Sequence, residues 1–86
     1  MSAGNSSNAA KIEERDSLDA EILYFKNSII SHQHQIDKLK KLEIIPFFKR
    51  SANAMIAEEQ AGISVATSAI QRYTDLEIYY KSIGRL

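Results

Sequence analysis

The chain has 86 residues, 11 basic and 11 acidic side chains, and no cysteine. This length permits one small domain with a modest core, and the lack of cysteine excludes disulfides and thiolate metal sites. No apolar run is long enough to span a membrane, and the polar start has no apolar signal segment, so we expect a cytoplasmic or nuclear protein.

Residues 1–8 are small and polar, which predicts a disordered tail before a helical hairpin over residues 9–86. Helix 1 is expected over about residues 9–44, with Asn8 as its N-cap. Along it, seam residues recur at alternating spacings of four and three, the pattern of a coiled-coil seam. These residues are Leu18, Ile22, Phe25, Ile29, His32, Ile36 and Leu39.

Pro46, the only proline, interrupts this pattern. Proline lacks the backbone N–H and clashes with the preceding helical turn, so we expect a bend over about residues 45–50. A kink in one long helix is the alternative to a reversal. The neighbouring Ile44, Ile45, Phe47 and Phe48 are unusually apolar for a loop. Either a partner covers them, or Pro46 is the first residue of helix 2 and both phenylalanines lie inside that helix.

Helix 2 is expected over about residues 47–83, with Gly84 ending it. Its seam mirrors the first: Ala52, Met55, Glu59, Gly62, Ala66, Ala69, Tyr73, Leu76, Tyr80 and Ile83. Folding the chain back at Pro46 pairs residues whose numbers sum to about 91. Ile36 then meets Met55, and Gly62 lies opposite Ile29. The expected fold is all-α, an antiparallel hairpin of two long helices forming part of a coiled-coil-like multi-helix bundle.

The apolar stripes are wider than one partner helix can cover. On helix 1, Ile12, Leu23 and Ile30 lie beside the seam, and on helix 2 Ile56, Ile63 and Ile70 recur at spacing seven. Exposed stripes of this size indicate interaction surfaces, so we expect other helical subunits as partners. A hetero-complex is favoured over a homo-oligomer. The predicted interaction seam comprises Leu18, Ile22, Phe25, Ile29, Ile36, Leu39, Met55, Ile63, Ala66, Ile70, Tyr73, Leu76 and Tyr80.

One polar layer is predicted within this seam. His32 and Glu59 are its polar exceptions, and the bend brings them to the same level. We expect them to contact each other or a shared polar layer, because unpaired polar groups are costly to bury.

The sequence offers no recognisable catalytic or metal site. His32 and His34 point in nearly opposite directions on a helix, and three scattered glycines cannot form a phosphate-binding loop. We therefore expect no enzyme, cofactor or metal.

The basic tip around the bend is the alternative source of function. It comprises Lys38, Lys40, Lys41, Lys49 and Arg50. It could contact nucleic acid, acidic lipid or an acidic protein, and the first of these would make the chain a nucleic-acid-associated accessory protein. Zero net charge argues against nucleic acid.

The preferred function is a non-catalytic structural subunit of a multi-protein helical complex, such as a scaffold or tether. In length and helical-hairpin character the chain resembles the small subunits of eukaryotic scaffolding and tethering complexes, such as kinetochore ring or lysosome-organelle biogenesis assemblies. The resemblance rests on these features and not on a sequence motif.

Overall fold

The computed structural model describes residues 3–86, with side chains described from Ala10 onward. It contains two helices, α1 (Ala3–Glu43) and α2 (Lys49–Ser82), which pack against each other. They form an antiparallel hairpin measuring 69 × 19 × 11 Å. The predicted all-α helical hairpin is confirmed.

The start of α1 differs from the expectation. The helix begins at Ala3, six residues before the expected start, so residues 3–8 of the predicted tail are helical. Met1 and Ser2 lie outside the described residues. The polar composition of this segment suggested disorder, but residues 3–8 contain no proline, and nothing in their backbone forces the helix to stop.

The bend reverses the chain within residues 44–48. The backbone N–H of Ile45 donates to the carbonyl oxygen of Leu42 at 3.1 Å, and that of Phe48 donates to Ile45 at 2.9 Å. These bonds make two consecutive tight turns around Pro46. The chain therefore reverses and does not merely kink. The placement of Pro46 and both phenylalanines inside helix 2 is wrong, since α2 begins at Lys49.

The core is a narrow strip between the two helices. On α1 every seam residue predicted from the sequence is buried or half-buried, and on α2 the alanines Ala52, Ala66 and Ala69 are each 2% exposed. Small residues on α2 let the larger α1 side chains approach closely. Half-buried positions on α2 continue the strip toward its C-terminus: Ile63, Ile70, Tyr73, Leu76 and Tyr80.

Near the bend the inward face of α2 is rotated relative to the prediction. Ile36, Leu39 and Ile56 form the buried apolar cluster, and Ile63 packs against it. Met55 is 52% exposed, so its predicted place opposite Ile36 is wrong. The physical reason is burial. Turning Ile56 inward also brings in Ile63 and Ile70, which lie one and two heptads further along the same flank.

The end of α2 carries the predicted glycine signal. Gly84 has φ = 75°, a left-handed conformation that costs glycine little. The Gly84 N–H donates to Lys81 at 3.2 Å, and the Arg85 N–H donates to Tyr80 at 2.8 Å. This pair of bonds is the Schellman motif, which satisfies carbonyls that the helix would otherwise leave unpaired. Ile83, assigned to the seam, is 55% exposed at this end, so its inward placement is wrong.

Candidate functional site

The polar layer joins the two helices near the middle of the hairpin. Nδ1 of His32 donates a hydrogen bond to Oε2 of Glu59 across 2.5 Å, so the contact predicted from the layer pairing is present. The two side chains retain 31% and 27% of their exposure. The layer therefore lies at the margin of the apolar strip, where a third helix packed alongside could reach it.

Gly62 makes room for this layer. A Cβ atom built on Gly62 would lie 2.6 Å from Cε1 and 2.7 Å from Nε2 of His32. Those distances are far below van der Waals contact, so the imidazole occupies the space that any other residue would fill. The sequence pairing placed Ile29 opposite Gly62. The structure places the His32 ring there, one turn closer to the bend.

An aromatic pair joins the helices beyond the polar layer. The rings of Phe25 and Tyr73 are stacked, with centroids 6.0 Å apart and planes inclined by 26°. Their residue numbers sum to 98, whereas His32 and Glu59 sum to 91. Side chains on a helix lean toward its own N-terminus. In an antiparallel pair, long side chains therefore meet partners with higher numbers than a simple mirror predicts.

At the free end of the hairpin, opposite the bend, an ion pair joins Glu14 in the first part of α1 to Arg85, which follows α2. Arg85 Nε donates to Glu14 Oε2 at 2.9 Å, and a second Arg85 nitrogen contacts the other carboxylate oxygen. The Arg85 guanidinium also lies 4.4 Å above the centre of the Tyr80 ring. The hydrogen bond to Glu14 is the main cause that raises the pKa of Arg85 above its usual value. The sequence pattern does not indicate this contact, because it depends on the Schellman turn.

An apolar flank runs along one side of the hairpin. Its α1 members, Leu23 and Ile30, are 58% and 53% exposed, and its α2 members, Ile63 and Ile70, are half-buried. Successive residues of a helix turn by about 100°, and in antiparallel helices these two sets fall on the same side. Together they place apolar side chains on one side of the hairpin, where the hairpin alone leaves Leu23 and Ile30 mostly uncovered.

The bend presents a second apolar surface with a different character. Ile44 and Phe47 are 82% and 86% exposed, the highest values among the large apolar side chains of the described residues. The five side chains of the basic tip are exposed as well. Ion pairs in the described part of the chain involve His32, Glu77–Lys81 and Glu14–Arg85, so the basic tip has no acidic partner there.

No family model matches the chain, and no curated protein or solved structure shows significant similarity to it. Within residues 3–86, neither helix has an apolar stretch long enough to cross a membrane. In the same residues, no three histidine or acidic side chains cluster as metal ligands would. Any proposal about function therefore depends on the chain's own surfaces.

Proposed function

We propose that the hairpin is a non-catalytic structural subunit that packs through its apolar flank against other helical subunits of a multi-protein complex. The observation that carries the proposal is the exposure of Leu23 and Ile30 beside the half-buried Ile63 and Ile70. A monomer gains little from Leu23 and Ile30, which stay mostly exposed on one side of a thin rod. A bundle of three or more helices buries them, and each fully buried side chain contributes about 1.5–3 kcal/mol.

The thinness of the hairpin supports the same proposal. Its smallest dimension is 11 Å, roughly the width of one helix with its side chains, so every residue lies near the surface. In the described chain no side chain with a volume larger than alanine is less than 6% exposed. Two helices of this kind form an incomplete core, which further helices would complete.

A partner of different sequence suits the hairpin better than a second copy. The His32–Glu59 pair is about one-third exposed at the edge of the apolar strip, so a helix that packs over it must accept polar groups at that one level. Such a requirement selects register and partner. These features suit a subunit of a scaffold or tether that is built from long helices in the cytoplasm or nucleus.

The decisive experiment measures the assembly state of the purified chain and then identifies what it binds in cells. We expect the isolated chain at micromolar concentration to be oligomeric, aggregating or poorly helical by light scattering and circular dichroism. A stable, cooperatively folded monomer at high dilution would contradict the proposal. A defined homo-oligomer would keep the structural role and overturn the preference for unlike subunits.

Variants of the flank connect the assembly to the residues. Leu23→Ser with Ile30→Ser removes the exposed α1 half of the flank without touching the buried strip. We expect crosslinked partners recovered with the tagged protein to be lost with this variant. The matched control is Val65→Ser with Tyr79→Ser, which changes apolar side chains 65% and 56% exposed on the opposite side of the hairpin. Equal recovery with both pairs of substitutions would show that the flank is not the assembly surface.

A further inference from the structure

The bend combines two features that a helix-packing role does not need. Its most exposed side chains, Ile44 and Phe47, are large and apolar and project from the end of the rod. They are flanked on both sides by the basic tip, and Glu43 is the only acidic residue between Lys38 and Arg50. We propose that the bend docks end-on to an anionic lipid bilayer, with Ile44 and Phe47 inserted among the headgroups and the basic side chains on lipid phosphates.

The apolar residues favour a bilayer over nucleic acid. A nucleic-acid contact is carried by cations on phosphates, and the aliphatic Ile44 would add nothing to it. At a bilayer surface the same residue moves from water into the boundary between headgroups and acyl chains, where apolar area is buried. Aromatic rings are enriched at this depth, and Phe47 and Phe48 pack edge to face with centroids 5.2 Å apart.

The charges supply the second half of the recognition. Basic residues close to an apolar anchor are attracted to the negative surface of a cytoplasmic leaflet. Here Lys38, Lys40 and Lys41 precede the anchor, and Lys49 and Arg50 follow it. Because none of the ion pairs in the described residues uses them, binding need not break an existing contact. Apolar insertion and electrostatic attraction thus act at the same end of the molecule, and two weak signals together give stable binding.

The geometry keeps this surface separate from the proposed assembly surface. The bend lies at one end of a hairpin 69 Å long, whereas Leu23 and Ile30 lie on α1 well away from it. End-on docking leaves the apolar flank available to helical partners. The lipid proposal therefore stands independently of the proposed function.

Tryptophan fluorescence tests insertion directly, because the chain contains no tryptophan. Phe47→Trp places a single reporter at the tip. We expect its emission to shift to the blue with vesicles of phosphatidylcholine containing about 30% phosphatidylserine, and little with phosphatidylcholine alone. Val65→Trp is the matched control on the side of α2, at a residue 65% exposed, and should not shift. An unshifted Phe47→Trp spectrum, or equal shifts for both reporters, would overturn the proposal.

Co-sedimentation with the same vesicles separates the two contributions. Ile44→Ser with Phe47→Ser should weaken binding by about tenfold or more, and Lys40→Gln with Lys41→Gln by about fivefold per charge. Circular dichroism verifies that these exposed changes leave the helices intact. Binding lost only with the charges would show surface attraction without insertion, and would refute the proposal. Tighter binding to duplex DNA or RNA than to the vesicles would refute it in favour of a nucleic-acid site.

Discussion

The imidazole of His32 lies against the backbone of Gly62, with Cε1 only 2.6 Å from where a Cβ atom of Gly62 would stand. The same ring donates to Glu59, so the glycine, the histidine and the glutamate form one unit across the two helices. The role of Gly62 is therefore steric. Its lack of a side chain lets a polar bridge form between closely spaced helices.

Substitution of Gly62 tests this unit. In an ordinary helix interior Gly→Ala stabilises by about 0.5–1 kcal/mol, because glycine loses more backbone freedom on folding. Here the new methyl group would push the His32 ring away from Glu59. We expect Gly62→Ala to be neutral or destabilising in the wild-type chain and stabilising in a His32→Ala background. The measurement is urea unfolding of the wild-type chain, Gly62→Ala, His32→Ala and the double variant, all at the same protein concentration. It gives the change in the free energy of unfolding that Gly62→Ala causes in each background.

These four free energies of unfolding give the coupling free energy between positions 32 and 62. A coupling free energy of about 1 kcal/mol or more between positions 32 and 62 is expected for side chains in direct conflict. Equal stabilisation by Gly62→Ala in both backgrounds would mean that the ring moves aside without cost, and the steric role would be lost.

Alanine substitutions at Ile56 and Met55 test the rotation of α2. Ile56 is 8% exposed and belongs to the buried cluster, so Ile56→Ala should destabilise by about 2–3 kcal/mol. Met55 is mostly exposed, so Met55→Ala should change the free energy of unfolding by less than about 0.5 kcal/mol. Denaturant midpoints of the two variants provide the comparison. The reverse order would restore the seam predicted from the sequence.

Gly84 offers a test of backbone strain without steric interference. No atom lies within 4 Å of a Cβ built there, so a side chain meets open space and only the positive φ matters. We expect Gly84→Ala to destabilise by about 1–2 kcal/mol, the cost of a left-handed residue with a Cβ. Gly84→Asn is the matched variant and should lose less, since asparagine tolerates this conformation. Similar losses for the two variants would argue against strain as the cause.

Arg85→Gln should loosen the free end of the hairpin. The substitution removes the charged contact with Glu14 and the position of the guanidinium over Tyr80. Amide hydrogen exchange should become faster in the last turn of α2 and in residues near Glu14, while exchange around Ile36 and Ile56 stays the same. Arg85→Lys is the control that keeps the charge and loses the forked geometry, and we expect an intermediate effect. Unchanged exchange in both of these segments would show that the ion pair does not stabilise them.

Periodicity favours the hairpin, because the four-three repeats on the two sides of Pro46 pair their apolar residues when the chain folds back, but it leaves a kink in one long helix as the alternative. The contact of His32 with Glu59 followed from the same mirror. The pairing rule, in which residue numbers sum to about 91, is less accurate for long side chains. The Phe25–Tyr73 stack forms because each side chain leans toward the N-terminus of its own helix, and residue spacing does not include this lean.

Other features depend on the relative free energies of competing arrangements, which the sequence pattern does not give. Met55 and Ile56 are adjacent, and either could face inward. The choice was decided by how much apolar surface the whole α2 face buries, including Ile63 and Ile70. The pairing of Arg85 with Glu14 required the Schellman turn at Gly84, and the length of α1 at its start exceeded what its polar residues suggested.

The two ends of the hairpin differ chemically, and this gives the rod a direction. The bend is basic and apolar, whereas near the other end the Glu14–Arg85 pair joins the helices and α1 extends past it to Ala3. A neighbouring hairpin packed side by side in the same direction would place both bends at one end of the bundle, which would then have a single adhesive end. Packed in the opposite direction, the bends would be separated by roughly the 69 Å length of the rod, and the bundle could bridge two surfaces. The orientation of the neighbouring subunit thus determines whether the assembly binds one surface or connects two.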